Sequence, residues 1–309
     1  MLKATCLTLH RWTAIVFSLP LFVIMLTGLV LSFEPLALQA KLDQPLSKAV
    51  MLEHLAKHDP GNKATGLMIR AYEQSLTLAG VGEDGETEID LTTGEIVSDE
   101  AGTALSDVFR FCRGVHQSLI SDMGWLVSAS TIAMLGMIVL GLLMGFPNLR
   151  NTVGGWHSYA AWMTMPMVVI SPLTGLMIAY GFANSAPSTS ERRAIVPIVR
   201  AVEMLAEKHD LANLTSLRSR GGRMVARVFV EGALTNIVIT ASGLEEPPRN
   251  WSRSMHEGNW SGWLAPGLNI VMSVIFLGLL LTGLFIWLRR TYRRSRQRIE
   301  QAMTADLAE

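Results

Sequence analysis

Four stretches of this chain are long and apolar enough to cross a bilayer: Trp12–Phe33, Gly124–Phe146, Trp156–Tyr180 and Gly262–Leu288. Each exceeds the about 20 residues a helix needs to span a hydrocarbon core about 30 Å thick. None carries Asp, Glu, Lys or Arg in its interior. Lipid offers no partners to backbone N–H and C=O groups, so such segments must be helices that satisfy themselves. Half of the residues are hydrophobic and only 17% are charged, which also marks a membrane chain. The formal net charge of zero leaves no electrostatic case for nucleic acid. The first stretch is too long for a signal-peptide core, and the third repeats its pattern.

Lys and Arg set the expected orientation. Residues 1–11 hold Lys3 and Arg11 without an acid, and the connection Pro147–Gly155 holds Arg150 without an acid. The segment after Leu288 opens with Arg289, Arg290, Arg293, Arg294, Arg296 and Arg298. With four crossings these three segments share one side, and the positive-inside rule makes that side cytoplasmic. The two long segments between spans, 34–115 and 182–257, then lie outside. Cys6 and Cys112 fall at opposite ends of the membrane in this topology, so no bridge between them is expected.

The chain repeats itself. His10-Arg11-Trp12 leads to Leu26-Thr27-Gly28-Leu29, and His157-Ser158-Tyr159 leads to Leu173-Thr174-Gly175-Leu176 at the same distance. Val115-His116-Gln117 precedes Gly124-Trp125-Leu126, as Met255-His256-Glu257 precedes Gly262-Trp263-Leu264. Span one therefore matches span three, and span two matches span four, in the same orientation. The expected fold is a four-transmembrane-helix bundle made by duplicating a two-helix unit, with two small α+β external modules. The segments are 1–33 for helix one, 34–115 for the first module and 116–147 for helix two. Residues 148–181 supply the inner loop and helix three, 182–255 the second module, 256–288 helix four and 289–309 a basic tail.

Within the modules, Ala49–His58 and Ile195–His209 read as amphipathic helices. Thr65–Ile69, Ser75–Ala79, Glu88–Leu91, Met224–Val230 and Thr235–Thr240 read as strands. A turn is expected at Thr93-Gly94. Gly80-Val81-Gly82-Glu83-Asp84-Gly85 matches the dinucleotide-binding letters, but a second strand follows it and it carries two acids, so it reads as a hairpin loop. Each module is near the lower size limit for a core of its own, so the two are expected to lean on each other or on the membrane.

Seven histidines remain. His54, His58 and His209 sit among charged residues and read as solvated or locally bonded. His10 and His157 mark the inner face, and His116 and His256 the outer, each pair related by the repeat. Bundles build cofactor sites from facing side chains. Two neutral imidazoles per face suit the axial positions of a haem iron. A bare zinc or copper ion wants three or four protein ligands, which only the 17 methionines could complete. Met134, Met137, Met165 and Met177 read instead as packing or lipid-facing residues. Arg11 and Arg113 adjoin the histidines and suit haem propionates, with membrane anchoring for Arg11 and a plain surface charge for Arg113 as the equal alternative.

The His10-Arg11-Trp12 opening, the two Leu-Thr-Gly-Leu tetrapeptides, the His-Gln and Gly-Trp-Leu ahead of span two, and the Trp287-Leu288-Arg289-Arg290 exit together resemble the PepSY-associated transmembrane helix family. Asp90–Ile96 is similar to the end of a PepSY module, whereas Ala241–Glu246 lacks its Thr-Gly-Glu signature. That family includes bacterial inner-membrane ferric-siderophore reductases holding two b-type haems. The resemblance implies His10 and His157 for an inner haem and His116 and His256 for an outer one. It implies electrons entering from a cytoplasmic or quinol donor and leaving to a ferric chelate outside. Two other readings keep the helices without haem: an anchored binding or sensing protein, and a metal-handling protein using His and Met.

Overall fold

The computed structural model describes residues 2–82, 85–97, 105–120, 122–182, 196–220 and 222–306. The chain divides into a helical unit (Met1–Val30, Cys112–Tyr180, Asn269–Glu309) and a sheet unit (Leu31–Phe111, Gly181–Leu268).

The helices of the first unit are α1 (Leu2–Val16) and α2 (Ser18–Leu31), followed after the sheet unit's α3 (Glu34–Ala37) and α4 (Lys48–His58) by α5 (Leu105–Ser118), which enters it at Cys112. Then come α6 (Gly124–Leu143), α7 (Val153–Met163) and α8 (Met165–Ala179). In the sheet unit follow α9 (Ile198–Ala206) and α10 (Trp251–Glu257), and α11 (Leu264–Asp306) returns to the helical unit. Ser18–Ala37, Gly124–Leu143 and Leu264–Gln301 are each long and apolar enough to cross a bilayer. The pair α7–α8 passes the same test together and is bent by 68°, making a fourth crossing if it spans as one broken helix.

Prolines explain both irregular helices. Pro20 has no N–H for the carbonyl of Val16, where α1 ends, and Pro166 has none for Trp162, one residue before α7 ends. Spans one and three are thus each in two pieces. Residues 289–306 of the basic tail continue α11, since their arginines give no reason to stop a helix.

Two apolar clusters fill this unit. Leu21, Met137 and Leu280 are buried with Phe17, Phe22, Met25 and Met134 around them. Val168, Met272 and Phe276 form the second, and Met25 and Met134 belong to both. Met134 and Met137 are packing residues, as their sequence context implies.

The sheet unit is one seven-stranded antiparallel sheet rather than two leaning modules. Its strands are β1 (Gly66–Arg70), β2 (Ser75–Ala79), β3 (Glu86–Asp90), β4 (Leu214–Arg220), β5 (Arg223–Val230), β6 (Ala233–Thr240) and β7 (Gly243–Glu245). Their order is β3-β2-β1-β4-β5-β6-β7, so β1 and β4 join the two halves. Leu67 pairs with Leu217 across that seam, and both are buried. Gly66 faces Arg218 there, and a Cβ on it would lie 3.2 Å from the carbonyl oxygen of Leu217, so the seam favours glycine. Alternation puts Met224, Ala226 and Val228 on the core face with Leu76, Leu78, Ile89 and Ile237, under α4 and α9. Two 70-residue halves share one core because neither encloses one alone.

The Gly80–Gly85 segment closes the β2–β3 hairpin, with the Gly80 N–H donating to the Gly85 carbonyl at 2.6 Å. Its Glu83 and Asp84 lie outside the described residues, as does Ile195 at the expected start of α9. The Thr93-Gly94 turn forms. Asp90 Oδ1 accepts from the N–H of Thr92 and Thr93, and Gly94 takes φ +72°.

Candidate histidine sites

Three of the four boundary histidines belong wholly to the helical unit, and each ring is fixed by a neighbouring helix. His10 on α1 bonds through Nδ1 to the carbonyl of Met137 on α6 at 3.0 Å. His116 on α5 bonds through Nδ1 to the carbonyl of Ile24 on α2 at 3.0 Å, with Thr27 Oγ1 at 3.3 Å. His157 on α7 bonds through Nδ1 to Thr282 Oγ1 on α11 at 2.9 Å.

These partners decide the tautomer. A carbonyl oxygen only accepts, so Nδ1 of His10 and His116 must carry the proton. Thr282 commits its hydroxyl proton to the carbonyl of Gly278 at 2.6 Å, so towards His157 it can only accept. Each imidazole therefore carries a proton at Nδ1. A histidine that ligates a metal commonly has such a hydrogen bond to orient it.

The histidines occupy two levels. His10 and His157 lie within electrostatic range of each other. His116 bonds at Ile24, fourteen residues beyond His10, or about 20 Å of helix at 1.5 Å per residue. The Met, Phe and Leu clusters fill the unit's interior.

His256 is placed by the sheet unit. It lies on α10, which starts where Asn250 Oδ1 accepts from the Arg253 N–H and ends where Gly258 takes φ +68°. Glu257 beside it pairs with Arg227 of β5 at 3.3 Å and with Arg253 at 3.4 Å, tying the helix to the sheet. Arg11 lies within electrostatic range of Arg290 and Arg294, a basic cluster next to His10. Arg113 sits three residues before His116 on α5.

The donor set favours a ligand that brings its own equatorial donors. Among the described residues no group of three or more His, Cys, Asp or Glu side chains is placed to hold a metal ion. A haem iron takes two imidazoles, whereas a bare zinc or copper ion takes three or four protein ligands. His10, His116, His157 and His256 are the residues that would hold a haem.

Across residues 7–290 the sequence matches the model of the PepSY-associated TM region. The chain belongs to that family. As a PepSY-associated membrane protein it has apolar helices in keeping with the bilayer as its surroundings. A search of curated proteins returned no match.

Sequence reasoning found the four histidines but not what holds them. Leu281-Thr282-Gly283-Leu284 is a third copy of the Leu-Thr-Gly-Leu tetrapeptide, and its threonine bonds His157. That repetition was the available signal. The Met137 and Ile24 carbonyls carry none, because any residue type supplies a carbonyl.

The other expected-bland histidines are local. His58 Nε2 donates to the Gly94 carbonyl at 3.1 Å, and His54 is buried beside it. Burial first, and then the neighbouring His58, hold the His54 imidazole below its ordinary pKa.

Proposed function

We propose that the protein carries electrons across the bacterial inner membrane through two b-type haems and reduces a ferric chelate at the outer face. The observation that carries this is the common setting of His10, His116 and His157, each bonded through Nδ1 to an oxygen of a neighbouring helix. When bound, each haem supplies a one-electron Fe(III)/Fe(II) couple. His10 and His157 hold the inner group. His116 and, by the sequence repeat, His256 hold the outer one.

The residues around them do the tuning. The Nδ1 hydrogen bonds of His10, His116 and His157 would raise the basicity of each imidazole and hold its ring in place. The Met and Phe packing excludes water from the unit's interior. Arg11, with Arg290 and Arg294, suits inner propionates, and Arg113 suits outer ones. The sheet unit offers the chelate its docking surface. One electron added to the chelated Fe3+ gives Fe2+, which hard oxygen donors hold less tightly, so the metal is released. The donor on the inner side is a cytoplasmic reductant or a quinol.

The test is a reduced-minus-oxidised visible spectrum of detergent-purified protein from haem-supplied cells, with haem counted by pyridine extraction. A b-type spectrum with two haems per chain is expected. A colourless protein overturns the reading and leaves an anchored PepSY binding protein.

A further inference from the structure

The partners of the three fixed histidines follow one pattern. His116 meets the Ile24 carbonyl, the Thr27 hydroxyl three residues later, and then Gly28. His157 meets the Leu279 carbonyl, the Thr282 hydroxyl three residues later, and then Gly283. His10 meets the Met137 carbonyl, and Leu140 and Gly141 stand where the other two have Thr and Gly. In both complete cases the threonine donates to its own helix, Thr27 to Val23 at 2.7 Å and Thr282 to Gly278 at 2.6 Å. Its lone pairs then face the imidazole.

The glycines supply room. A Cβ on Gly28 would lie 3.1 Å from His116 Cε1, tighter than ordinary contact, and one on Gly283 would lie 3.5 Å from His157 Cε1. The two rings therefore rest against positions of their helices that present no side chain, each gripped by a carbonyl and a hydroxyl from one turn. The repeat sets Ser171, Thr174 and Gly175 out in the same order, and Thr174 likewise donates to Ile170 at 2.8 Å.

We propose that Thr27-Gly28 and Thr282-Gly283 are positioning residues: the threonine holds Nδ1 as the protonated nitrogen, and the glycine admits the ring, so that Nε2 is aimed at its ligand. The consequence for haem rests on the functional reading above. The effect on the tautomer does not.

Two measurements separate these. In haem-free protein with 15N-labelled histidine, the ring shifts of His116 and His157 report Nδ1–H. Thr27→Val and Thr282→Val each move their own histidine towards a mixture of tautomers, and Thr27→Ser and Thr282→Ser restore it. In protein carrying haem, transfer to excess apomyoglobin reports each site. Each valine variant, and Gly28→Ala, speeds loss of one haem about tenfold to a hundredfold and leaves the other unchanged. Nε2–H shifts in the wild type, or valine variants with unchanged shifts and unchanged transfer, overturn the proposal. Correct shifts in a protein that takes up no haem overturn the functional reading while the positioning role stands.

Discussion

Leu217→Ala is the sharpest test of the single sheet. Leu217 is fully buried in β4, opposite Leu67 of β1 and Ala226 of β5. Truncating a buried leucine costs about 3–5 kcal/mol, the sum of lost transfer energy and the cavity left behind. At 1.4 kcal/mol per tenfold, that is a hundredfold to a few thousandfold less protection against cooperative opening. The assay is amide hydrogen exchange on the full chain in detergent. Because β1 and β4 share one core, the loss should appear equally at Leu76, Leu78 and Ile89 in the first half and at Ile237 and Ile239 in the second. If only the second half loses protection, the two halves are separate cores and the seam is a docking contact.

Other outcomes follow from the same structure. His54 is held neutral by burial, so its folded pKa lies below the ordinary 6.5. The unfolded chain then binds the extra proton first, and the sheet unit loses stability as pH falls through and below about 6.5. A His54→Gln variant flattens that dependence in thermal melts taken from pH 7.5 to 5. Leu21→Arg puts a charge among Met137 and Leu280 and costs at least about 2.5–3.5 kcal/mol of insertion, so carbonate-resistant membrane yield falls. Cys6 and Cys112 are both free and buried, so maleimide labels them only after denaturation, and reductant leaves the mass unchanged. Cysteines placed at Lys41 and Ser295 should label from opposite sides of sealed membrane vesicles; labelling from one side contradicts the topology read from Lys and Arg.

What was legible in the sequence was what depends on long runs or on repetition. The apolar spans, the paired Leu-Thr-Gly-Leu segments and the four histidines needed no structure. Strand β5 announced itself by strict alternation, with Met224, Ala226 and Val228 inward. Strand β4 did not. Its Leu-Thr-Ser-Leu-Arg-Ser-Arg carries few apolar residues, and a register shift between Leu214 and Ser216 breaks the period of two. That hid the strand which fuses the halves. Helix α5 was missed because its Leu105, Phe109 and Cys112 stripe lay between a module and a span and read as a connection. The bend at Thr164 was written in Pro166, but hydropathy averages over it. The oxygen that fixes His10, and one of the two that fix His116, belong to the backbone, and side-chain identity cannot reveal which carbonyl a ring will meet.

The central claim is that electrons held in this chain pass to ferric iron. Purified protein is reduced with dithionite, desalted without oxygen, and mixed with a ferric hydroxamate chelate and a chromophoric ferrous trap. The account predicts that the haem bands reoxidise while trapped Fe2+ appears in a ratio of one iron per haem. Haem that stays reduced in the presence of the chelate, with no trapped Fe2+, would contradict it.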